Sequence, residues 1–243
     1  MATPAPEGPR QGLVGNVIGL WTGPAESFRS ILRAPQVLLP LVALIALQLA
    51  FTGVWLHHVD PAEFMKAQME ESGQWEKMQP EQRAGVLEGQ TKFLPIIGWV
   101  GAAVGAPLFV LVVGGLYLFV FRFFHGSELT LKPSLSIVAH TFLAVGLITT
   151  PLTLLVLFLR DDWTLNPQVA IQANLSLLLD REEAPKFLWS LAESLDLFSF
   201  WTLWLLATGY AAASSRPWTW ALPGVLGPWA LYVACKVVWA ALF

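Results

Sequence analysis

Residues 93–121 read FLPIIGWVGAAVGAPLFVLVVGGLYLFVF, a run of 29 residues between Lys92 and Arg122 without one charged side chain. A bilayer core about 30 Å thick is crossed by about 20 mainly apolar residues in helical form, so this run can span it. Hydrocarbon offers no partner to a peptide N–H or C=O, and only a helix or a closed barrel satisfies both within the chain. The run is continuous and lacks the period-2 alternation of a membrane barrel strand, which makes it a helix.

The same test applied outward finds four more windows. Arg33 to Asp60 encloses 26 residues without Asp, Glu, Lys or Arg, Lys132 to Arg160 encloses 27, and Asp196 to Arg216 and Arg216 to Lys236 enclose 19 each. The expected spans lie near 37–56, 94–121, 135–159, 191–213 and 222–242, giving an all-α membrane protein with a five-helix bundle in one domain, 13–243. The composition agrees: 55% of the 243 residues are hydrophobic and 13% charged, against about 25% charged in soluble domains. A net charge of −3 gives no reason to expect nucleic acid. A single cysteine, Cys235, excludes an internal disulfide framework or a thiolate metal cluster. Residues 1–12, rich in Ala, Pro and Gly, read as a disordered tail. The apolar run that begins near residue 37 exceeds a signal peptide's and reads as a retained span.

Five spans put the termini on opposite faces. Arg29 and Arg33 precede the first span, and the first helix usually dominates orientation, so the N-terminus is expected inside. Tryptophans 21, 55, 99, 163, 189, 218, 220 and 239 fall at or near expected span ends, as an aromatic belt would.

Two segments outside the spans have their own helical signals. Pro24 sits at a first helical position with Glu26 in the first turn, while Phe28, Ile31 and Leu32 share a face opposite Arg29 and Arg33. That pattern predicts a short helix lying in the membrane interface, basic face toward the headgroups. Asp60-Pro61-Ala62-Glu63 is a capping-box start, predicting a helix from Pro61 to about Met78 and a second from Pro80 to Lys92 in the first outer loop. The connection from Asp161 to Ser190 is expected to hold a helix or re-entrant segment at the outer interface.

Candidate functional residues are the charges inside the spans. Glu193 and Asp196 lie three apart on one helical face, and Lys236 falls at a similar depth in the fifth span, about 8–9 Å below the outer surface. Isolated charges there cost at least about 2.5–3.5 kcal/mol each, so an Asp196–Lys236 ion pair is expected. The alternative is a polar cavity in which Glu193, Asp196 and Lys236 serve an ion, a proton or a lipid headgroup. Gly101 and Gly105 form a GxxxG pair extended by Gly98, a helix-packing surface for a neighbour in this chain or in a second copy. Pro107 and Pro151 are expected to kink the second and third spans.

Catalytic chemistry is not legible. There is no GxSxG, P-loop or GxGxxG, and Glu182-Glu183 lacks the arginine of the intramembrane EExxxR protease pattern. His57, His58, Asp60 and Glu63 crowd one span end without HExxH spacing, and His140 is expected to hydrogen-bond between helices, so no metal or cofactor is assigned. The expected partners are the lipid bilayer and an unidentified protein, with a homo-oligomer open.

The chain resembles the bacterial branch of the Yip1-domain family of five-span membrane proteins. The likeness rests on Pro24-x-x-x-Phe28-x-x-Ile31 with Pro35 before the first span, on Met78-Gln79-Pro80-Glu81-Gln82 in the acidic first loop, and on Leu195-Asp196-Leu197-Phe198-Ser199-Phe200-Trp201. The eukaryotic relatives bind Rab-type GTPases and organise Golgi and endoplasmic-reticulum membranes. Their Asp-Leu-Tyr-Gly-Pro motif is missing here, so Rab binding does not carry over. The resemblance implies a non-enzymatic protein of the bacterial inner membrane that organises membrane or scaffolds partners; the alternative is a small transporter, channel or lipid-moving protein using the three intramembrane charges.

Overall fold

The computed structural model describes residues 12–181 and 183–242 and is helical, with no strand among them. The expected disordered tail lies outside the described residues except for Gly12. In chain order the helices are α1 (Leu13–Thr22), α2 (Pro24–Arg33), α3 (Leu38–His58), α4 (Pro61–Glu71), α5 (Gln74–Lys77), α6 (Pro80–Phe123), α7 (Leu131–Arg160), α8 (Lys186–Ser194), α9 (Leu197–Ala213) and α10 (Trp218–Leu242). Four of them, α3, α6, α7 and α10, are long and apolar enough to cross a membrane. The fourth expected span, 191–213, is divided. Its apolar part, α9, has 17 residues, about 25 Å of helix against a core of about 30 Å.

The division falls at Leu195-Asp196, and its cause is a cap. Asp196 adopts an extended conformation and accepts the Phe198 N–H on its carboxylate, ending α8 and starting α9. The broken backbone is repaired from the preceding connection: Leu175 N–H donates to the Leu195 carbonyl at 3.3 Å, and Leu197 N–H to the Ala173 carbonyl at 3.0 Å. Between Asp161 and Ser190, where a helix or re-entrant segment is expected, α-helix begins only with α8 at Lys186. The connection is irregular up to α8, apart from one 3₁₀ turn at Leu175–Leu178. Asn166 and Asn174 accept the amides of Gln168 and Ser176 on their side chains, a local bond that competes with helix. Nearby, the Thr164 hydroxyl donates to Asp162 at 2.7 Å and holds that carboxyl below its ordinary pKa.

The segment between α3 and the second span is also rearranged. Asp60 caps α4 through the amides of Ala62 and Glu63 as the sequence predicts, but Gly73, at φ 67°, ends that helix early and sets off α5. The helix starting at Pro80 does not stop at Lys92. It continues through Pro95 and Pro107 to Phe123, 44 residues in all, about 66 Å at the α-helical rise. It thus carries the end of that segment and the second span on one rod. Neither Pro107 nor Pro151 interrupts its helix.

The N-terminal segment departs most from expectation. Its second helix has the predicted bounds, with Pro24 first, yet Phe28 and Ile31 are buried against the bundle instead of facing lipid. Phe28 packs where Gly209 of α9 meets Ile137 of α7; a Cβ at Gly209 would lie 2.5 Å from Ile137 and 3.1 Å from Phe28. Ahead of it stands α1, a helix the sequence reading did not propose, packed on α2 and α7. The indole N–H of Trp21 donates to the Ala144 carbonyl at 3.0 Å. Ala144 lies near the middle of α7, so Trp21 sits beside mid-span and not at a boundary.

Gly209→Ala should therefore cost about 1–3 kcal/mol of stability by overpacking. Gly101→Ala, where an added Cβ meets nothing within 4 Å, should be near neutral. Thermal midpoints of both variants in detergent check this, and equal midpoints would contradict the close approach of α2, α7 and α9.

Candidate functional site

The three charges expected inside the spans do come near one another, but in a different pairing. Lys236 Nζ on α10 donates to Glu193 Oε2 on α8 at 2.7 Å, each side chain about a third exposed. The expected Asp196–Lys236 pair is replaced. Asp196 spends its carboxylate on the Phe198 amide, so its charge is held by the first turn of α9. Glu193 is one helix earlier, on the far side of the break, where its side chain reaches α10. A continuous span would have put both acids on one face; the cap divides their roles.

Polar contacts within the bundle core go mostly to hydroxyls. Ser134 Oγ on α7 donates to the Gly114 carbonyl of α6 at 2.7 Å and lies 2.8 Å from the Tyr210 hydroxyl of α9. Tyr117 donates to the Val225 carbonyl, joining α6 to α10. His140 is buried, with Nδ1 2.8 Å from the Ser136 carbonyl of its own helix. Sequence reasoning missed Ser134, Tyr117 and Tyr210. The available signal was that all three of the chain's tyrosines, Tyr117, Tyr210 and Tyr232, stand inside apolar runs, where a buried hydroxyl needs a partner.

The helices approach most closely at Gly114, Gly209 and Gly224. A Cβ at Gly114 would meet Leu135 at 2.6 Å, and one at Gly224 would meet His125 at 2.8 Å. Gly98 lies under Thr52 and Leu56 of α3, whereas a Cβ at Gly101 or Gly105 meets nothing within 4 Å. Those two glycines border a cleft of about 950 Å³ between α3, α6 and α7. A smaller, more polar crevice of about 510 Å³ lies among His125, Glu128, Thr130, Ser214 and Arg216 where α6, α7 and α9 end. Glu193, Asp196 and Lys236 line neither.

At the end of α3, His58 stacks on Trp163 at 4.4 Å and bonds the Val54 carbonyl through Nδ1. Among the described residues no group of three or more His, Cys, Asp or Glu is placed to hold a metal ion. The α4 helix is latched to the later connection by Arg181–Glu71 at 2.7 Å and by Gln68, which bonds the Thr164 carbonyl and Asn166. Trp75 is flanked by Lys66 and Arg83.

A family model described as the Yip1 domain matches residues 18–240, nearly the whole chain. No curated protein and no solved structure matches.

A double-mutant cycle between Glu193→Gln and Lys236→Met should show coupling of about 1–2 kcal/mol, between exposed and buried ion pairs. Asp196→Asn paired with Lys236→Met should be additive, while Asp196→Ala alone should cost about 1 kcal/mol as a lost cap. Coupling of Lys236 to Asp196 in place of Glu193 would refute this division of roles.

Proposed function

We propose that this chain, which belongs to the Yip1-domain family, is a non-enzymatic membrane protein that organises the bilayer around it and scaffolds partners there. In this reading α9 completes five crossings with α3, α6, α7 and α10. The N-terminus is cytoplasmic in a bacterial inner membrane and the C-terminus lies on the opposite face. Arg29 and Arg33, both exposed beside the first crossing, support that orientation.

The observation that carries the proposal is the half-length hairpin α1–α2. Its turn at Gly23-Pro24 lies next to Trp21, which bonds mid-way along α7, while Val14, Ile18 and Trp21 are 71%, 50% and 40% exposed along α1. An apolar α1 that shows large side chains outward beside the middle of α7, joined to an amphipathic α2 that turns Phe28 and Ile31 inward, adds volume to one leaflet. Charge is arranged for closure: Lys236 is held by Glu193, and Asp196 by a helix terminus. These features suit a body that shapes and anchors better than one that conducts.

Reconstitution at rising protein density should narrow or tubulate vesicles in cryo-electron micrographs, without dissipating proton or potassium gradients. Ile18→Lys, placing a charge on the lipid-facing side of α1, should restore the diameter of protein-free vesicles. Unchanged vesicles with the wild type would overturn the proposal, as would an ion flux abolished by Glu193→Gln.

A further inference from the structure

We infer that the cleft between α3, α6 and α7 is a binding site for one phospholipid with a net-neutral headgroup, held with its head toward α4 and its chains toward mid-membrane. The cleft follows α6 from Leu94 to Phe109, about 22 Å of helix. Half of a bilayer with headgroups is about 20–22 Å thick, so the cleft has the length of one lipid in one leaflet. Its volume of about 950 Å³ lies at the upper end of ligand sites that are mostly apolar with a few placed polar groups.

Polarity is ordered along that length. Three carboxamides, Gln68, Asn166 and Gln168, stand at the outer end; Gln48, Thr52, Thr149 and Thr150 lie between; at the inner end are Leu44, Phe109 and Phe142. Carboxamides both donate and accept; Gln68 and Asn166 bond each other and nearby backbone, which leaves the Gln168 carboxamide, with their second N–H groups and lone pairs, to meet a phosphodiester and an ammonium together. No Asp, Glu, Lys or Arg lines the cleft, which leaves a net anionic headgroup without a counter-charge. Water does not suit the inner end, because a buried water needs two to four polar partners. The helices that bound the cleft stand in lipid, so a lipid is the molecule at hand to fill it. Gly101 and Gly105 create the space by omitting side chains from that face of α6.

The test uses the full chain reconstituted in vesicles of equal phosphatidylethanolamine and phosphatidylglycerol, then extracted for native mass spectrometry. The wild type should retain one phospholipid per monomer, phosphatidylethanolamine in excess. Gly101→Leu and Gly105→Leu, which fill the cleft, should each lower that retention about tenfold with the thermal midpoint kept. Gly115→Leu, which also meets nothing within 4 Å but lies outside the cleft, should leave it unchanged. Gln168→Leu tests the polar end independently and should lower the preference for phosphatidylethanolamine. No lipid on the wild type, equal retention in all variants, or an excess of phosphatidylglycerol would overturn the inference. So would loss of a dimer in the Gly101 and Gly105 variants with lipid content unaltered, which would give this face to a second copy. Vesicle shape plays no part in this readout, so the hairpin's role and the cleft's can fail separately.

Discussion

Hydrocarbon cannot hydrogen-bond a peptide group, and most of this structure follows from that. Each apolar run must close its own backbone bonds, which makes it helical. Where the chain breaks that rule, at Leu195-Asp196, it supplies replacements from within: a carboxylate for one amide, and the Ala173–Leu175 segment for the exposed ends on either side. The irregular connection is therefore a structural part of the fourth apolar element, since it bonds the backbone on both sides of the break between α8 and α9. The tolerance for non-helical backbone at such depth depends on protein surrounding it.

Packing then has to be won without a hydrophobic drive between helices, because lipid tails are as apolar as leucine. The chain uses close backbone approach and buried hydroxyls. Gly114 under Leu135 brings α6 so near α7 that Ser134 reaches across to the Gly114 carbonyl, and Tyr210 adds α9 to the same point. Gly209 makes room for Phe28, which ties the N-terminal hairpin to the body. At Gly101 and Gly105 the same residue type produces a cleft. A glycine stripe removes side chains from a surface; whether a helix or a smaller molecule enters depends on the tilt of the neighbours. No sequence pattern carries that tilt.

This difference sets what was legible in advance. Charge-free windows located α3, α6, α7 and α10 closely, because solvent transfer acts residue by residue and leaves its record in composition. Asp60 and Pro24 marked helix starts for the same local reason. The division at Asp196 was written in the sequence as well, since Asp before Leu-Phe-Ser is a good N-cap, but the length of the surrounding apolar run masked it. The expected ion pair of Lys236 with Asp196 failed on that one error, which moved Glu193 into a separate helix. The short helix α1 was hidden differently. Its ten residues are too few to span and are apolar nearly all round, and only Ala144, more than a hundred residues away, gives Trp21 a reason to be there. The GxxxG motif was visible, but the space beside it was not.

The fate of the three intramembrane charges bears on what kind of machine this bundle is. A charge that serves transport must exchange partners during a cycle, so its resting contacts have to be replaceable. Asp196 could let go of its amide only by uncapping α9, which would leave first-turn N–H groups in surroundings that cannot bond them. Lys236 could release Glu193 only by leaving two opposite charges partly buried and unpaired. Both groups are committed to holding helix ends together, and α10 is thereby fixed to α8 across the break that α9 alone cannot span. What remains adaptable lies at the lipid boundary: the outward face of α1 and the open side of the α3–α6–α7 cleft. Locked charges beside irregular apolar surfaces are what the proposed action through shape requires.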